Sequence, residues 1–118
     1  MKRLQDGFDP ARLVGREIET VLFASNLVTF QLSGGPLLTA LAGVTRSMAG
    51  EEVPSREDPP WAATHLPALI GKSVTSASVD ASGGLLVRFG DGSNLGFAPD
   101  DSGYESFIVS IDGHEWFA

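Results

Sequence analysis

A chain of 118 residues with 42% apolar and 19% charged side chains has the composition of one folded domain and not of a disordered tail. It has no cysteine, which excludes disulfides and thiolate metal sites, and its net charge of −7 disfavours nucleic acid and anionic membrane as partners. Its longest apolar-leaning stretches, 21–24 and 36–42, are too short to span a bilayer, and no apolar signal core follows the basic start Met1-Lys2-Arg3, so the expected location is the cytoplasm.

Along the chain, Asp9-Pro10 reads as an N-cap with proline at the first helical position, opening a short helical turn that stops at Gly15. Residues 16–24 alternate loosely, with Ile18 and Leu22 expected on one face. Residues 27–32 place Val28, Phe30 and Leu32 on one face with Thr29 and Gln31 on the other, the pattern of a half-buried strand, and Ser25-Asn26 reads as the turn before it. A glycine turn at Gly34-Gly35 leads to a third strand over 37–41. Residues 43–60 show no period and read as a linker or long loop. Pro60 opens a second helical candidate that Pro67 interrupts. Strands over 73–80 and 85–90 flank the loop 81–84, and Asp91-Gly92 is the best short hairpin signal. Residues 104–111 are rich in aromatic and β-branched side chains, and Asp112-Gly113 turns them into a last strand, 114–118.

The second half echoes the first. Pro10-Ala11-Arg12-Leu13-Val14-Gly15-Arg16 returns as Pro67-Ala68-Leu69-Ile70-Gly71-Lys72, one residue shorter. Ile18 then answers Val74, Thr20 answers Ser76, and each half continues through an apolar strand, a glycine turn and a third strand. Matches in one order favour two copies of one unit, 10–42 and 61–118, within a single domain. The expected fold is mainly β, bordering α+β. Two diverged β-meanders form a twisted sheet, sandwich or partly open barrel with one or two short helices.

The second copy carries a leucine-glycine entry (Leu69-Ile70-Gly71-Lys72), an F-x-D-G-x-x-L hairpin (Phe89 to Leu95) and a tyrosine-glutamate-aromatic strand (Tyr104-Glu105-Ser106-Phe107). In this order they resemble small bacterial β-domains of unknown function from high-GC genomes. The resemblance spans 13–118, more weakly in the first copy, and implies no activity or site residue. In size, charge and strand content the chain is also similar to immunity proteins of bacterial toxin systems.

No catalytic, metal or cofactor signature stands out. His114 and Glu115 are adjacent on a strand and point to opposite faces, so they do not converge on an ion. Serines lack a nucleophile elbow, and Gly34-Gly35 and Gly83-Gly84 lack the lysine and helix of a phosphate loop. What remains is surface. Up to Thr20, Lys2, Arg3, Arg12 and Arg16 balance Asp6, Asp9, Glu17 and Glu19. From Lys72 onward only Lys72 and Arg88 oppose Asp80, Asp91, Asp100, Asp101, Glu105, Asp112 and Glu115. The partner-binding candidates are Glu57, Asp58, Trp61, Asp100, Asp101, Tyr104, Glu105 and Trp116, tryptophans and a tyrosine beside acids that would anchor a basic protein. The expected function is a non-enzymatic protein-binding module, an immunity-type inhibitor of a basic toxin. The alternatives are a module that homodimerises through an exposed strand edge and a small-ligand binder or enzyme with a cleft between the copies.

Overall fold

Each half of the chain opens on a proline-led 3₁₀ turn. In the first, Pro10–Leu13, the Asp9 carboxylate accepts a hydrogen bond from the Ala11 N–H at 3.0 Å. The second is Pro67–Leu69. A proline in the first turn gives up an N–H that has no helical partner, so Pro10 and Pro67 both suit the start of their elements. Leu13 and Leu69 are both fully buried. The computed structural model describes residues 2–4, 6–24, 27–41, 44–48, 51–53, 67–81, 83–97 and 107–117. The Ser25-Asn26 turn, the Pro60 helical candidate and residues 104–106 of the aromatic strand lie outside them.

The described residues form eleven strands. They are β1 (Lys2–Arg3), β2 (Ile18–Phe23), β3 (Val28–Leu32), β4 (Leu37–Ala40), β5 (Val44–Met48), β6 (Glu51–Val53), β7 (Val74–Val79), β8 (Leu85–Phe89), β9 (Ser93–Phe97), β10 (Phe107–Ile111) and β11 (His114–Phe117). In β3, β8, β9 and β10 the first, third and fifth residues are buried, the period-two signature of a strand with one face on a core. Asp112 and Gly113 both take positive φ, as a two-residue hairpin between β10 and β11 requires.

The stretch expected to be a linker, 43–60, instead contains the antiparallel hairpin of β5 and β6. It reads as loop because Thr45, Arg46, Ser47, Glu51 and Glu52 carry no apolar period. Its strand character comes from pairing with β9, a tertiary cause. The strand order is β1-β11-β10-β4-β3-β2 in one sheet and β6-β5-β9-β8-β7 in the other. All pairs are antiparallel except β1 beside β11. The halves therefore exchange hairpins: β5–β6 from the first half pairs with β9 of the second, while β10–β11 from the second pairs with β4 of the first. Among the described residues the two sheets do not close into a barrel.

The junction of the halves is held by backbone. The Gly15 N–H donates to Val74 O and the Gly71 N–H to Ile18 O, both at 2.8 Å. The Ile18 N–H donates to Lys72 O at 3.0 Å and the Val74 N–H to Arg16 O at 2.8 Å. Exchanging Gly15 with Gly71, Arg16 with Lys72 and Ile18 with Val74 converts each bond into another of the set, so the four are related by a local twofold. Glu17 and Ser73 bridge at its centre. Gly15 and Gly71 both adopt positive φ, 84° and 90°, which a side chain would strain. Register shifts fall at matching places, between Ile18 and Thr20 and between Val74 and Ser76.

One core serves both sheets. Phe97 of β9 meets Phe30 of β3 edge-on, centroids 5.9 Å apart, and Phe107 of β10 at 5.5 Å. The bulge after Ile18 also corrects the expected face of Leu22. An extra residue flips the alternation, so Val21 packs on the core and Leu22 faces solvent.

Candidate interaction surface

Of the eight residues singled out for partner binding, Trp116 is placed by the structure. Glu57, Asp58, Trp61, Asp100, Asp101, Tyr104 and Glu105 lie outside the described residues. Trp116 is only 9% exposed. Its ring packs against Phe8 with centroids 5.2 Å apart, and the Arg12 guanidinium carbon lies 5.7 Å from its centroid. The indole is thus a wall of the core, closed over by the N-terminal segment, and presents little free face to a partner. Among the described residues no three His, Cys, Asp or Glu side chains gather into a metal-binding group.

Three cations in the described part are committed to internal partners. Arg12 reaches Asp112 at 3.4 Å besides covering Trp116. Arg16 donates from Nε to the Arg12 carbonyl at 2.7 Å and from Nη1 to the Ser33 carbonyl at 3.0 Å. Lys72 pairs with Asp91. Arg16 and Lys72 occupy matching places and each ties its strand entry to the turn before the third strand, by different chemistry. In the second half the turn supplies a carboxylate. In the first, the guanidinium fills the space that a Cβ on Gly34 would need.

Asp91 serves both its own turn and the strand entry. Besides Lys72, its Oδ1 accepts from the Ser93 N–H at 2.9 Å and from the Ser93 hydroxyl at 2.6 Å. Ser93 is fully buried, so its hydroxyl has no water to turn to. Asp91→Ala is expected to cost about 1–3 kcal/mol, the penalty of an orphaned buried donor, read as a lower urea midpoint. Ser93→Ala removes the hydroxyl together with its need for a partner and is expected to cost less.

The apolar surface lies on the six-stranded sheet. Its edge strand β2 exposes Leu22 at 54% and Phe23 at 46%. Across the outer face, Leu22 stands beside Thr29, Thr39, Ile108 and Phe117 in one cross-strand row, with Thr29 and Thr39 hydrogen-bonded through their hydroxyls at 3.1 Å. That row has no ionised side chain until Arg3 on β1 at the far edge. The next row, Thr20, Gln31, Leu37, Ser110 and Glu115, has one, also on the far side. The sequence concealed this surface because Leu22 reads as a core residue unless the bulge is known.

A profile describing a family of unknown function, DUF6188, matches residues 10–118. The chain belongs to this family. The DUF6188 match takes in both 3₁₀ turns and all strands from β2 to β11, so the hairpin exchange and the local twofold lie within the family's span. No curated protein and no solved structure matches the chain.

Proposed function

We propose that this DUF6188 protein is a non-enzymatic binding module that inhibits a basic protein partner, in the manner of an immunity protein. The observation that carries the reading is the fate of its charges. The chain is at −7, and Arg12, Arg16 and Lys72 are held by internal partners while Asp6, Glu17, Glu19 and Glu115 stand exposed. Exposed acids on a chain of net charge −7 present a negative field, and such a field steers basic partners. The four backbone bonds at the junction of the halves support a surface reading over a cleft there.

The test is capture from native lysate at about 50 mM and about 500 mM salt, where the Debye length falls from about 14 Å to about 4 Å. One basic protein retained at low salt, bound at least about 10-fold more weakly at high salt, and inhibited at equimolar ratio is the expected result. Recovery of the protein alone, or of a partner insensitive to salt, overturns it.

A further inference from the structure

We propose that β2 is a self-pairing edge through which two copies of this chain join antiparallel, extending the six-stranded sheet across both. This stands independently of the antagonist reading, because its partner is the chain itself.

The backbone is poised for pairing. β2 ends its sheet, with β3 on one side. The Ala24 N–H donates to Leu27 O at 2.9 Å, which marks Ala24, and by antiparallel alternation Leu22 and Thr20, as the positions bonded to β3. The N–H and C=O groups of Val21 and Phe23 therefore point away from the sheet. An edge of this kind is a template for another strand unless charge, proline or cover protects it.

The opposite edge shows that the fold does not demand apolar residues here. β7 ends the five-stranded sheet, begins with the same register shift and pairs with β8 as β2 does with β3. Where β2 has Val21, Leu22 and Phe23, β7 has Ala77, Ser78 and Val79. The outward position is serine on one edge and an exposed leucine on the other. The apolar edge is thus a property of β2 and not of the architecture.

Charge selects the occupant. A second copy also carries −7, so it can approach only where ionised groups are sparse, and among the described residues the cross-strand rows beginning at Leu22 and Thr20 carry none near β2, whose one ionised residue is Glu19. With Leu22 opposite Leu22 of the second copy, Val21 of each strand faces Phe23 of the other. Those two pairs exchange four backbone hydrogen bonds, and the leucines meet in the closely spaced position between them. Aromatic and β-branched residues in cross-strand contact are favourable pairs. In this register the two Glu19 carboxylates lie six residues apart along the strands, about 20 Å, well beyond the screening length of about 8 Å at physiological salt. The self-repulsion that the net charge predicts is therefore weak at this edge.

Sedimentation equilibrium from about 1 μM to about 500 μM tests the proposal, over the range expected of a small interface. The weight-average mass of the intact chain is expected to rise from 12.4 kDa toward twice that value. Leu22→Lys, which sets two like charges directly opposite each other, and Phe23→Lys, which replaces the aromatic ring facing Val21 of the second copy, are each expected to weaken the dimer at least about 10-fold. Both side chains are exposed, so circular dichroism should show the fold retained; Ser78→Lys on β7 should leave the mass curve unchanged. Added salt should tighten this dimer, opposite to its effect on a complex with a basic partner. A chain that stays monomeric throughout overturns the proposal, as does a dimer that survives both lysine variants in folded form.

Discussion

Phe97→Ala is expected to lower stability by about 3–5 kcal/mol, measured as a fall in the urea midpoint at unchanged slope. Phe97 closes β9, yet its ring lies against Phe30 and Phe107 of the opposite sheet, 2% exposed. The same place in the first half, the end of β4, is held by Ala40, which faces Phe107 across the β4–β10 pair. Both sites abut one core, and their volumes differ by most of a phenyl ring. Removing that ring deletes two aromatic contacts and leaves a space bounded by strands of both sheets. Backbone hydrogen bonds hold those strands apart, so the cavity collapses poorly and the cost falls high in the range. Ala40→Phe tests the converse. It adds volume beside an existing ring and is expected to destabilise by overpacking rather than stabilise by filling.

This asymmetry shows what could be read before the fold was known. Local signals were legible wherever a strand alternates between tight turns: Val28, Phe30 and Leu32 in β3, Leu85, Val87 and Phe89 in β8, and the Asp91-Gly92 and Asp112-Gly113 hairpins. The 3₁₀ turn at Pro10 was announced by its Asp9 cap. What escaped has a non-local cause. β5 and β6 are polar in sequence and become strands by docking on β9, some fifty residues away in the chain. β1 is two residues long and exists only beside β11. The inversion of Leu22 follows from one bulged residue, which carries no signature in composition yet decides whether the edge of the sheet is apolar or polar. An aromatic beside acids marks a partner surface only where its ring is exposed, and Trp116 is buried.

Trp116→Ala is the second large effect, about 3–5 kcal/mol, and its distribution along the chain is more telling than its size. Three pieces meet at Trp116: β11, which carries it; β1, whose backbone pairs in register beside it; and Phe8, whose ring lies tilted 5.2 Å from the indole. Arg12 closes the other side while holding Asp112. The contact between the guanidinium and the ring is worth about 0.5–1 kcal/mol. The ion pair adds about 1 kcal/mol at most, because the Asp112 side chain is 75% exposed. Arg12→Ala is therefore expected to cost far less than Trp116→Ala, an order that reverses if the N-terminal segment is held by charge and not by the buried ring. Amide hydrogen exchange locates the effect. In the tryptophan variant, protection should fall first over residues 3–13 and β11, while β7, β8 and β9 of the other sheet keep theirs at matched global stability. Equal loss across both sheets would mean that the N-terminal segment unfolds only with the whole domain. It would then be part of the cooperative core and not a clasp fastened to it by one side chain.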